Sequence, residues 1–165
     1  MVEEFDSLLL VSFGGPENAA EVEPFLNRVT AGRNIPPERL AEIAHRYHSA
    51  KGFSPLNGRI RGLACRLAEE LDKRSINLSV YWGNRNAPPL LAETLSAMAQ
   101  AGHFHTIAWT ASPYSSYSSC RQYREDLELA ATEVAGPKPC VKWIRRHHDH
   151  PGLIETAADR LTEAL

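Results

Sequence analysis

No run of apolar residues in this 165-residue sequence is longer than Leu8–Val11. A membrane-spanning helix needs roughly 20 such residues, so nothing here reads as a transmembrane segment. Cysteine is scarce too. Cys65, Cys120 and Cys140 are odd in number, and none stands in a C-x-x-C pair. That argues against a disulfide framework and for reduced thiols in a cytoplasmic protein. The N-terminus, Met1-Val-Glu-Glu-Phe-Asp6, is acidic where a signal peptide is basic, so export is not expected. An excess of one charge is also missing. Lys and Arg total 18 against 20 Asp and Glu, a net charge of −2, which supplies neither a basic field for nucleic acid nor an acidic tail. No G-x-G-x-x-G and no P-loop motif occurs, which removes both nucleotide fingerprints. Nor is there a Ser-His-Asp order with an elbow motif, or a pair of carboxylates that can be placed across a cleft.

What remains has the proportions of an ordinary globular domain: 43% hydrophobic and 23% charged residues in a chain of one-domain length. Within Ser7–Phe13 the residues Leu8–Val11 form a continuous apolar run, the pattern of a strand covered on both faces, and Gly14-Gly15-Pro16 breaks it. Val22, Phe25, Leu26 and Val29 follow at helical spacing, and Pro24 inside that stripe makes the helix start late. Pro36-Pro37 opens a second helix bearing Leu40, Ile43, Ala44 and Tyr47. Ser54-Pro-Leu-Asn57 forms a turn in which Asn57 is a suitable N-cap for a third helix carrying Ile60, Leu63, Leu67 and Leu71. Leu78, Val80 and Trp82 alternate as a strand up to Gly83-Asn84, and Pro88-Pro89 starts a helix that Gly102 stops. Thr106–Ala111 is the next strand, followed by a hydroxyl-rich loop, Ser112–Ser119, and a long helix with Tyr123, Leu127 and Ala130. A short strand around Val141–Ile144 precedes a helix opened by Pro151. Strands separated by helices of this length imply βαβ crossovers, so the fold class is α/β, doubly wound, with a parallel sheet of at least four strands.

In such sheets ligands bind beyond the carboxyl ends of the strands. The loops to watch are therefore Ser12–Pro16, Gly83–Pro88, Ser112–Ser119 and Arg145–Pro151, with the Ser54 turn able to fold over the same edge. The serine-rich loop either caps its own helix, the favoured reading, or offers hydroxyls and backbone amides to an anion. Arg28, Arg33, Arg59, Arg61 and Arg85 cluster near that edge, and guanidinium forks suit a carboxylated ligand. His147, His148 and His150 are dense enough to suggest a metal, but neighbours on a chain rarely all reach one ion, and a solvated loop is the preferred reading. His45 and His48 fit an exposed helix face, and His103 and His105 can share a strand face. A flavodoxin-like phosphate- or flavin-binding module is the alternative to which the serine loop points.

Six stretches then resemble one family, in its order and at its spacing: Leu8-Leu-Leu-Val-Ser-Phe-Gly-Gly-Pro-Glu17, Pro24–Arg33, Gly52-Phe-Ser-Pro-Leu-Asn57, Val80-Tyr-Trp-Gly-Asn-Arg-Asn86, Tyr114–Tyr123 and Asp149-His-Pro-Gly152. The chain resembles ferrochelatase, of the actinobacterial coproporphyrin III type. The resemblance implies insertion of Fe2+, as a substrate, into a porphyrin with release of two protons, in haem biosynthesis. It also implies a fold of two α/β lobes with the macrocycle between them. By position, Ser54 and Tyr123 look like porphyrin-contacting residues, and Arg33 falls near a family arginine of the porphyrin pocket. Phe13 stands where some relatives place a tyrosine that reaches iron, so this chain is expected to lack that axial ligand. Short relatives that work as half-length homodimers carry a histidine just after the first strand, where this chain has Ser12-Phe13.

The family's metal-handling histidine belongs to a Ser/Thr-Ala-His-Ser-Ile/Leu-Pro motif on the strand after the Pro151 helix, and a partner glutamate follows later. Neither motif occurs in residues 1–165. The expectation is a single domain, 1–165, corresponding to the N-terminal lobe, with the C-terminal lobe absent, no assignable catalytic residue and no metal site of its own. Some family members also bind a [2Fe-2S] cluster, most of whose ligands lie in that second lobe. Metallation needs a base for the pyrrole protons and ligands to deliver iron, so the 165 residues alone are expected to be inactive.

Overall fold

The computed structural model describes residues 5–117 and 121–165. Its centre is β1 (Ser7–Ser12), buried along its whole length as the unbroken apolar run requires. β2 (Ser79–Asn84) lies on one side of it and β3 (His105–Thr110) on the other, with β4 (Cys140–Trp143) outside β3. The order is β2-β1-β3-β4, and every pairing is parallel. Leu10 pairs with Trp82 on one side and Trp109 on the other, while Ser12 sits opposite Asn84. The chain leaves β1 toward opposite edges to form β2 and β3, so a crevice opens above the carboxyl end of β1.

Among the described residues six α-helices complete the architecture: α1 (Val22–Thr30), α2 (Pro37–Ser49), α3 (Leu56–Lys73), α4 (Leu91–Gln100), α5 (Gln122–Thr132) and α6 (Pro151–Ala164). The main core joins Leu9, Val11 and Ala108 of the sheet to Leu91, Leu95 and Met98 of α4 and to Tyr123, Leu127 and Ala130 of α5. Each fully buried aliphatic side chain there stabilises by about 1.5–3 kcal/mol. Tyr81 packs against this cluster, whereas its neighbour Trp82 lies 5.2 Å beneath the Arg61 guanidinium of α3, so successive strand residues serve opposite faces. A second cluster, Val22, Phe25, Leu26 and Ala87, with Leu40, Ile43 and Tyr47 against it, seats the inserted helices α1 and α2 beside the carboxyl edge.

The late start of the first helix holds: a 3-10 turn, Ala19–Glu21, capped by Asn18, comes first, and Pro24 falls in the first turn of α1. Two boundaries move. Asn57 is not the N-cap of α3; Pro55 occupies that place and Asn57 lies inside the first turn, fully buried. The Pro88-Pro89 pair does not start α4, which begins at Leu91, because the Pro89 carbonyl is already taken by the amide of Asn84 at the end of β2 (2.8 Å). No helix among the described residues is long and apolar enough to cross a membrane.

Candidate functional site at the carboxyl edge of the sheet

The turn after β1 depends on two glycines for different reasons. Gly14 has a φ of +80°, and a Cβ there would come within 2.9 Å of the Asn84 Cβ. Gly15 gives the closer approach of the two: a Cβ would sit 2.5 Å from the Ser54 Oγ. The space these residues leave is filled by the start of α3. The Ser54 amide donates to the Pro16 carbonyl (2.8 Å). Asn57 donates to the Gly15 carbonyl (2.9 Å) and accepts from the Gly15 amide (3.1 Å), pairing both backbone groups of one residue. The same amide group reaches the Pro88 carbonyl at 3.3 Å. Asn57 is thus a buried clamp joining the loops after β1 and β2, a role that its resemblance to a helix cap conceals.

Beside this clamp lies an open cleft of about 330 Å3, within the range of small-molecule sites. Phe13 from the end of β1, Arg28 from α1, Arg33 from the loop after it, Arg85 from the loop after β2, and Gln122 and Asp126 from α5 line it. Three of the five arginines singled out in the sequence therefore meet here. Arg61 turns elsewhere, to Glu17 (2.9 Å) and Trp82.

Arg85 is the centre of the arrangement. Its side chain is only 8% exposed and pairs with Asp126, which is 34% exposed and faces the cleft. The guanidinium lies 4.7 Å from the Tyr123 ring centroid and 5.7 Å from that of Phe13, cation–π distances on two sides. Tyr123 is buried beneath it. Burial pushes the phenol above its ordinary pKa, and the Arg85 charge pulls against that shift. Phe13 also packs edge-on against Phe25 (6.1 Å), so α1 holds its ring from behind. Arg28 spans to the Asn86 carbonyl at 3.4 Å, and Arg33 is exposed at the mouth.

Of the four residues expected to contact a ligand, Phe13 and Arg33 line the cleft and Tyr123 lies directly under its Arg85 wall. Ser54 does not line it; it packs on Gly15 and its hydroxyl accepts from the Leu56 amide (3.4 Å) at the start of α3. Asp126 escapes a reading of the sequence because an acidic residue on a helix looks like solvated surface; only the i, i+3 spacing from Tyr123 hints at a shared face.

Three of the histidines take individual partners. His147 accepts from the Trp109 indole N–H (3.1 Å), and burial, with help from Arg146, holds its imidazole below the ordinary range. His150 caps α6 by accepting from the Gly152 amide (3.2 Å). His103 meets the hydroxyls of Tyr81 (2.7 Å) and Ser79 (3.2 Å) at the opposite end of the sheet. Among the described residues no cluster of His, Cys, Asp or Glu is arranged to hold a metal ion. The serine loop is described only to Tyr117, whose hydroxyl donates to Glu125 (3.2 Å); Ser118, Ser119 and Cys120, on which its capping role falls, lie outside the described residues.

Comparison with known proteins follows the same stretches. The ferrochelatase family model matches residues 6–165. A coproporphyrin III ferrochelatase from Frankia alni is 48% identical over 97% of this chain and 41% of its own length. A ferrochelatase from Rhodopirellula baltica is 44% identical over 97% of this chain and 46% of its own. A coproporphyrin III ferrochelatase from Streptomyces coelicolor is 43% identical over 98% and 44%, respectively. The chain thus spans less than half the length of these relatives.

Proposed function

The chain belongs to the ferrochelatase family, and from that footing we propose that it forms the porphyrin-binding lobe of a cytoplasmic enzyme that inserts Fe2+ into coproporphyrin III in haem biosynthesis. The observation that carries this reading is the cleft itself: the Phe13 ring on one wall, beside Arg85, with Arg28 and Arg33 at the mouth. A flat apolar macrocycle with carboxylate side chains matches both features, because rings stack on aromatic faces and guanidinium groups grip carboxylates in a fork. In this reading Phe13 supports the ring and provides no ligand to iron. Arg33 takes a carboxylate, Tyr123 supports the Arg85 wall from beneath, and Ser54, outside the cleft, acts by packing on Gly15 in the turn that carries Phe13. The base and the iron-delivering groups belong to a second lobe.

The residues described do not by themselves make a [2Fe-2S] site: Cys65, on α3, and Cys140, at the start of β4, are both free and exposed, and a cluster would draw most of its four ligands from the second lobe. The flavin alternative shares the strand order 2-1-3-4 with flavodoxin-like folds, but family membership favours the porphyrin.

Titrating the purified 165-residue protein with coproporphyrin III tests the reading. Saturable quenching of tryptophan fluorescence with a shifted Soret band is expected, with Fe2+ insertion no faster than in buffer. Binding of flavin mononucleotide in preference to the porphyrin would reverse the reading. Metallation well above background would overturn the assignment of the chemistry to a second lobe.

A further inference from the structure

The cleft holds an acidic residue where a site for a carboxylated ligand has no evident use for one. Asp126 lines the same wall as Phe13, and its carboxylate pairs with Arg85, the most buried of the three lining arginines. An unpaired guanidinium in that position would face the ligand with an uncompensated charge. The pairing, together with the rings of Tyr123 and Phe13 on either side, turns Arg85 from a ligand-seeking cation into part of a neutral wall. Arg28 and Arg33 are left as the cations at the mouth, so carboxylates are welcome at one end of the cleft and not along its floor.

We propose that Asp126 is a positioning residue that sets specificity: by holding and offsetting Arg85, it restricts the cleft to porphyrins with few carboxylates and disfavours more highly carboxylated ones. The inference rests on the porphyrin reading above and adds to it the basis of discrimination. Physically it is selection by repulsion and by withheld attraction, since a carboxylate arriving at the Phe13 wall meets Asp126 and finds the Arg85 guanidinium already paired. No group need change its protonation for this to operate.

The test compares the affinities of the 165-residue protein for coproporphyrin III, with four carboxylates, and uroporphyrin III, with eight, by fluorescence quenching. Asp126→Asn, which removes the charge with little change of shape, is expected to shift the ratio of the two dissociation constants toward the octacarboxylate by about tenfold. Arg85→Gln, which leaves Asp126 unopposed, should shift the ratio the other way, and it keeps the test decisive if the first variant fails to fold. Asp126→Glu should restore the wild-type ratio. A purely structural role would lower thermal stability in the first two variants and leave the ratio unmoved. Wild-type binding of coproporphyrin with an unchanged ratio in Asp126→Asn and Arg85→Gln overturns this inference alone. Failure of the wild-type protein to bind either porphyrin overturns the porphyrin reading and this inference with it.

Discussion

The two ends of the sheet use the same kinds of residue to opposite effect. At the amino end, polar groups exhaust one another. The Asp6 carboxylate accepts from the amides of Phe104 (2.7 Å) and His105 (2.9 Å) and from the Ser7 hydroxyl (2.7 Å). Ser7 meets Thr106 at 2.9 Å, and both nitrogens of His103 are taken by Tyr81 and Ser79. At the carboxyl end an aspartate and three arginines line a cleft, with a tyrosine buried beneath Arg85 and with Arg28 and Arg33 turned toward the mouth. Polar side chains that complete each other's hydrogen bonds stabilise a fold; those left facing a concave surface are available to a ligand. The kinds of side chain are shared between the ends, and the bonding separates them.

Asn57 is where this contrast can be broken most forcefully, because it sits at the cleft end and is bonded like the other. Asn57→Leu strips partners from both the amide and the carbonyl of Gly15. A buried unpaired polar group costs about 1–3 kcal/mol, so this variant should lose more stability than Asp6→Asn or Arg33→Ala, read as the urea midpoint. Porphyrin affinity should fall with it, because the Gly14-Gly15 turn carries Phe13. A stable variant with an intact cleft would show that the clamp is dispensable.

Asp6→Asn comes next. It weakens bonds at a partly solvated carboxylate without leaving a buried group unpaired, and should lower stability by about 1 kcal/mol while leaving porphyrin affinity alone. The pH dependence has a defined sign. Burial alone would raise the Asp6 pKa, but hydrogen bonds from His105, Ser7 and Phe104 hold it below the ordinary value of 3.8. The folded state therefore binds the proton less readily than the unfolded chain. The stabilisation is complete above 3.8 and is lost as the pH falls through the depressed folded value. Denaturation curves of the two proteins should converge in that acid range, and a gap that persists through it would refute the assignment.

The smallest effect on stability sharpens the comparison from the other side. Arg33 is exposed at the cleft mouth, so Arg33→Ala should change stability by no more than about 0.5 kcal/mol. Coproporphyrin affinity should nevertheless drop about tenfold, measured by fluorescence titration. A loss of stability without a loss of affinity would move Arg33 from the ligand to the scaffold.

Legibility follows the range of the interaction. The continuous apolar run of β1, the stripes of α1 and α3 and the breaks at Gly14-Gly15 are local, and periodicity reveals them in the linear sequence. Phe13, Arg33 and Tyr123 become legible as proposed site residues only through their resemblance to family motifs, because their separations along the chain follow no helical or strand period. Asn57 reads as a cap in the sequence because a cap and a clamp call for the same side chain. Asp126 stays hidden because an aspartate on a helix gives no sign of a partner 41 residues away.

The amino-acid sequence by itself determined the parallel α/β class, the family and the helical insertion after the first strand, since apolar spacing and turn residues act between near neighbours. The tertiary structure alone decided that Arg85 is neutralised, that Ser54 packs on Gly15 outside the cleft, and that His147 and His150 of the last loop take separate partners. Each of those outcomes depends on which side chains the crossovers bring within about 3 Å of one another, the reach of a hydrogen bond, and no local preference encodes that distance.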